Sequence, residues 1–260
     1  IVETIRERFS CRTYLELPIK KKAREQLEKI AHSSHEGPFG HHLRFEVIAA
    51  EEKDAETLRG LGTYGFIKNP TGFIIGATKE TENHLEDFGC VMEKIILKAT
   101  EMGLGTCWLG GTFNRSRFAK RMSLRQDEII PAVVSIGYIA EKPARIDRIT
   151  RETAKGDRRF PWKKLFFENR YGFNLTKETA GKYAIPLEMV RLGPSASNRQ
   201  PWRIIKKKHV WHFYLKRNKK YPPPVFDVLL GLADLQRVDM GIAMCHFALT
   251  AEELGLKGSW

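Results

Sequence analysis

Apolar positions along the chain recur in two periods, and these periods predict its elements. Between residues 84 and 102, Phe88, Val91, Met92, Ile95, Ile96 and Ala99 return every three or four positions. That spacing predicts a long helix with one wide apolar face. Gly103 and Gly105 stop it, because glycine takes the left-handed cap. A second long helix is predicted over about 235–254, with Met240, Ala243, Met244, Phe247, Ala248 and Ala251 as its stripe. Shorter helices are predicted at 1–9, at 20–33 (Ala23, Leu27, Ile30, Ala31) and at 51–60, and another ends at Leu192. Leu43, Phe45, Val47 and Ala49 alternate with polar neighbours, which is strand period. Short buried strands are predicted at 73–77 and 132–139, and a hairpin-like pair at 202–206 and 210–215. Residues 141–182 are charged and irregular, which predicts a linker on the surface.

The two long helices share more than a period. Residues 87–108 and 239–260 are identical at nine of 22 aligned positions, including Asp87 and Asp239, Gly89 and Gly241, and Trp108 and Trp260. Two unrelated amphipathic helices do not explain a shared Gly-Leu ending with a tryptophan at the same offset. The chain therefore reads as a fused duplication. One half spans 1–150, a linker spans 151–182, and the second half spans 183–260. The first half runs on for about 30 residues beyond the point equivalent to Trp260, so a further tail is expected to complete the second.

Charge and cysteine usage narrow the class. The formal charge is +13, from 44 Lys and Arg against 31 Asp and Glu. Its clusters at Lys20–Lys22, Lys206–Lys208 and Lys216–Lys220 are separate and lack interleaved aromatics. They read as solvated surface rather than a nucleic-acid face. No apolar run reaches the roughly 18 residues of a membrane helix, no signal peptide is legible in the sequence, and a missing start before Ile1 is expected. Cys11, Cys90, Cys107 and Cys245 form no CxxC pair, which points to reduced thiols and a cytoplasmic setting.

Two stretches offer chemistry. Gly193 to Arg203 reads GPSASNRQPWR, a loop dense in small hydroxyls and amides between a helix and a strand. It suits a flat, polar-edged ligand, and equally an ordinary connection whose Ser and Asn cap turns. In an extended segment, Arg8, Ser10 and Arg12 would point one way, an apt clamp for a phosphate monoester. Plain surface placement fits these three residues as well.

The string PSASNRQPWR resembles the P-S-x-x-N-x-Q-P-W motif of the nitroreductase family of FMN enzymes. Arg8-Phe9-Ser10-Cys11-Arg12-Thr13-Tyr14 resembles that family's opening R-x-S-x-R-x-[FY]. Gly103 to Gly111, GLGTCWLGG, resembles a third element, and the likeness spans nearly the whole chain. The resemblance implies an α+β, nitroreductase-like fold, with mixed and antiparallel sheets flanked by helices. It resembles the single-chain branch of the family, in which one polypeptide mimics the homodimer. The two long helices would then pack at a pseudo-twofold interface. Arg8, Ser10 and Arg12 correspond to the FMN phosphate site. Pro194, Ser195, Ala196 and Asn198 fall on the motif that contacts ribityl and ring. Leu109, Gly110 and Gly111 match the segment facing flavin N5 and O4. Lys142, Arg145 or Arg148 would add a phosphate contact, and Tyr64 would neighbour the ring.

The halves differ. Where the second half would repeat the clamp it reads Phe166 to Arg170. Where the first half would repeat the Asn loop it reads SSHEGPFGHH, residues 33–42. Its histidines match no common zinc spacing, so no metal is expected. One FMN per monomeric chain follows. The expected activity is transfer of hydride from NAD(P)H through FMN to a nitroaromatic, quinone or similar small acceptor, with ping-pong kinetics. The flavin would carry the chemistry, so no catalytic side chain is named. A flavin protein without turnover is the alternative, and a basic anion-binding module a more distant one.

Overall fold

The computed structural model describes residues 1–49, 58, 65–111, 113–142, 149, 152–153, 156, 158–218 and 233–260. Most of the helix predicted at 51–60 lies outside these residues, as do Tyr64, Arg145 and Arg148.

Two sheets are present among the described residues. The first holds β1 (Leu43–Ala49), β2 (Gly72–Lys79), β3 (Gly105–Leu109), β4 (Glu128–Ile129) and β5 (Val133–Gly137). Its order is β1-β2-β5-β3, with β4 also on β2, and every pairing is antiparallel. β2 reads GFIIGAT, a continuous apolar run, because both of its faces are covered. Phe45, Ile74, Val134 and Ile136 pack on one side, against the helices. Phe73, Ile75, Cys107 and Val133 pack on the other, around Phe118. The second sheet is mixed: β6 (Phe166–Glu168) runs parallel to β7 (Trp202–Lys207), and β8 (Val210–Leu215) antiparallel to it.

That second sheet corrects one expectation. The stretch 151–182 is not simply a surface linker, since it supplies β6. It also supplies Leu165, Phe166 and Leu175, which are buried with Trp202 and Ile204. The Trp162 indole N–H donates to the Leu175 carbonyl across 2.6 Å. The longest apolar run here, Leu165–Phe167, is only three residues, too short for a period to announce it.

The helices are α1 (Val2–Glu7), α2 (Lys21–Ser33), α3 (His84–Glu101), α4 (Arg115–Arg121), α5 (Lys177–Ala180), α6 (Ala184–Leu192) and α7 (Leu235–Glu253). α3 and α7 are the two long ones, and they pack on each other. They meet at Gly89 and Gly241. A Cβ on Gly89 would run into the Val238 carbonyl oxygen and lie 3.2 Å from the Gly241 Cα. A Cβ on Gly241 would run into the Glu86 carbonyl oxygen and lie 2.7 Å from the Cys90 nitrogen. Only glycine on both sides allows this approach. Beside it, Arg237 donates twice to Glu86, at 2.8 and 2.7 Å.

Candidate functional site

α1 ends at Arg8, where the chain turns extended. Ser10 then bridges Thr106 in parallel, and the Cys11 N–H donates to the Thr106 carbonyl at 2.8 Å. This lays the Arg8–Arg12 segment along the start of β3. Ser10 and Arg12 stay together, the Arg12 Nη1 donating to the Ser10 carbonyl at 3.4 Å. Arg8 turns inward, its side chain 4% exposed, with Nε 3.8 Å from Glu93 Oε1. Its Nη1 is buried with no hydrogen-bond partner, as is the Thr106 hydroxyl.

Glu93 sits mid-way along α3 and is wholly buried. Its Oε2 accepts the Trp108 indole N–H at 2.8 Å, and its Oε1 lies 2.9 Å from His246 Nε2 on α7. Burial pushes the Glu93 carboxyl up. The His246 hydrogen bond, the Arg8 charge and the Trp108 N–H outweigh it and hold the group below its ordinary value. His246 Nδ1 lies 2.9 Å from the Met189 carbonyl.

Met189 belongs to α6, which leads into the Gly193–Gln200 loop. His246 reaches that loop too: a Cβ on Gly193 would lie 3.6 Å from its Nδ1. So Arg8, Glu93, His246 and the start of the loop form one chain of contacts. Within the loop, Ser195 Oγ accepts the Gln200 N–H at 2.9 Å, and Gln200 Oε1 accepts the Phe160 N–H at 2.7 Å. The Asn198 side chain is tied to the segment before β6, its Nδ2 donating to the Arg158 carbonyl at 2.8 Å. Ser197, Asn198 and Gln200 all take left-handed backbone angles. Side-chain bonds from Arg159 and Gln200 hold that unusual conformation in place.

The loop hangs from α7. The Ala196 N–H donates to Asp239 Oδ1 at 2.9 Å. Asp87 of α3 holds the histidine loop the same way, accepting the Phe39 N–H at 2.9 Å and the His41 N–H at 3.1 Å. The two acids differ in satisfaction. Asp87 Oδ2 also meets His41 Nδ1 at 2.7 Å, whereas Asp239 Oδ2 is buried without a partner. Burial pushes the Asp239 carboxyl well above the carboxylate range, the Ala196 N–H opposes this, and Asp234 adds to it. A value raised by folding means that the folded state favours the proton. Stability is then full below the unfolded value of about 3.9 and falls as pH rises through the folded value. Asp239→Asn keeps the acceptor for Ala196 and removes the charge. It is expected to gain about 1–3 kcal/mol at neutral pH, the order of the cost of keeping a buried carboxyl charged or protonated there, which the neutral amide does not carry. Urea unfolding from pH 4 to 8 checks this; an Asn variant that is less stable at pH 7 contradicts it.

At the far end of β3, a Cβ on Gly110 would strike Leu235 at the start of α7, and Arg115 Nη2 donates to the Gly110 carbonyl at 2.9 Å. Gly111 faces open space. Leu109 is buried against Phe113 and Phe118. Lys142 is exposed. The clamp thus borders α3 at Glu93, while Gly110 and the Ser-Asn loop border the first half of α7. Asp239, Glu93, His246 and Gln200 were not singled out from the sequence as site residues. Asp239 and Gln200 do stand in the repeat and in the Pro194–Trp202 motif, whereas Glu93 and His246 lie off the apolar stripes and carry no local signal.

This architecture, helices with one antiparallel and one mixed sheet, is a nitroreductase-like α+β fold. The family model described as "Putative TM nitroreductase" matches residues 1–251, and the chain belongs to that nitroreductase family. Among solved structures, the fold is similar to that of a Thermotoga maritima protein described as a "putative nitroreductase". The TM-score is 0.60 and the identity 21%, over 97% of this chain and 84% of that one. It is also similar to a protein described as "the oxidoreductase containing FMN", with TM-score 0.53 and 18% identity over 66% of this chain and 92% of that one. No curated protein matches the chain. Among the described residues, no helix is long and apolar enough to cross a membrane.

Proposed function

We propose that this chain is an FMN-dependent oxidoreductase that holds one FMN between the Arg8–Arg12 segment and the Pro194–Asn198 loop. The observation that carries this is Arg8: a buried guanidinium nitrogen without a partner, on a segment that also presents Ser10 and Arg12. Buried donors of that kind call for an acceptor, and a phosphate supplies several. Gly111 leaves room for a flat ring to approach the backbone. The solved structure described as an oxidoreductase containing FMN supports the cofactor. Lys142, Arg145 and Arg148 are candidates for a further phosphate contact, and Tyr64 for a ring neighbour. Bound FMN would supply hydride transfer, taking reducing equivalents from NAD(P)H and passing them to a nitroaromatic, quinone or similar acceptor in ping-pong order. The chain's own part is to bind, orient and shield the cofactor.

We read the chain as a fused duplication acting as a monomeric pseudo-dimer. Asp87 and Asp239 stand at the same place in the repeat, and each holds the loop of its own half. Gly89 and Gly241 are likewise equivalent. Four free thiols, three of them buried, suit a reducing cytoplasm. Only the second half carries the Ser-Asn loop, so titration of FMN-stripped protein should give a stoichiometry near one per chain. Two sites of similar affinity would overturn the asymmetry. Bleaching of the flavin absorbance by NAD(P)H, with reoxidation by an acceptor, tests the activity; a flavin that NAD(P)H does not bleach argues for binding without turnover.

A further inference from the structure

We infer that Glu93 and His246 are positioning residues that hold Arg8 for a phosphate group. This rests on the FMN reading. The Arg8 Nε lies against Glu93 Oε1, which leaves Nη1 buried and unpartnered. The Thr106 hydroxyl, on the strand that Ser10 bridges, is the second buried group without a partner. Arg8 and Thr106 line one cavity of about 160 Å³ with Phe9, Leu104 and Gly105. An arginine side chain has many rotamers, so a guanidinium that must meet an anion in one orientation needs a fixed counter-charge behind it. Glu93 lies at ion-pair distance from Arg8, and it is itself fixed. Trp108 holds Oε2 and His246 holds Oε1, while the Met189 carbonyl fixes the far side of the imidazole. The positioning therefore crosses from α7 to α3 to the end of α1.

The test compares FMN with riboflavin, which lacks the phosphate, by fluorescence titration of stripped protein. The wild type is expected to prefer FMN. Glu93→Gln should lower the ratio of FMN to riboflavin affinity by about tenfold, the order of one charge-assisted hydrogen bond. Riboflavin affinity should stay within about twofold. A purely structural Glu93 would weaken both ligands alike, and that result overturns the inference. So does a ratio that is unchanged or raised. Should Glu93→Gln fail to fold, Trp108→Phe decides: it removes the donor to Oε2 and keeps an aromatic ring, and an unchanged ratio there overturns the inference. A wild-type protein that binds neither flavin, or shows no preference between them, would instead sink the FMN reading itself.

Discussion

Alanine at Gly241 is expected to destabilise the protein by at least about 3 kcal/mol, the upper range for added bulk in a packed core. The new methyl would collide with the Glu86 carbonyl oxygen and the Cys90 nitrogen, both in the main chain of α3. A flexible side chain could swing away, but a helix backbone cannot. Relief needs the two long helices to separate, which would also pull apart the Arg237–Glu86 pair and the Glu93–His246 contact. Gly89→Ala should behave alike, against Val238. Urea denaturation monitored by tryptophan fluorescence checks both. A loss below about 1 kcal/mol, the intrinsic scale of a Gly-to-Ala exchange, would show that the helices are not held this tightly.

Replacing His246 by Leu is expected to cost about 3–5 kcal/mol, because it takes a hydrogen-bond partner from a wholly buried carboxylate and leaves that group stranded. Glu93 would keep only Trp108 and the longer Arg8 contact. The pH dependence gives a sharper reading. The Glu93 value is lowered by folding, so its contribution is present above the ordinary glutamate value. It is lost as pH falls through the lower folded value. Without His246 that folded value rises, and the acid loss of stability should begin at higher pH. Thermal melts of wild type and variant from pH 3 to 8 check this; two curves that fall at the same pH would contradict it.

Much of the architecture could be read from residues alone, for a physical reason. Long stripes such as Phe88, Met92, Ile95 and Ala99 repeat often enough to define a face, and strand alternation at Leu43–Ala49 does the same. Short motifs at Arg8–Tyr14, Gly103–Gly111 and Gly193–Arg203 carried the family resemblance. What escaped has the opposite character. β6 is three residues long, and its burial depends on Ile204 and Ile205, which no local pattern reveals. Glu93 looks like any polar position until His246 arrives 153 residues later. Asn198 was expected to face a ligand, yet its amide is tied to Arg158, because the segment before β6 had been read as a surface linker. A contact between distant segments leaves no trace in the spacing of either one.

The glycine crossing sets a length scale for everything attached to it. Asp87 and Asp239 lie within one turn of Gly89 and Gly241, and each carries a loop on a single main-chain bond or two, the Asp239 loop being that of the candidate site. Sliding one helix along the other would drive Cα into carbonyl oxygen almost at once. The gap between the Phe39 loop and the Ala196 loop is therefore gauged by bond lengths and atomic radii, not by how well some cluster of leucines happens to fill. Side chains elsewhere along α3 and α7 can drift in size and alter how firmly the pair holds, while the spacing of the two loops stays where the glycines put it.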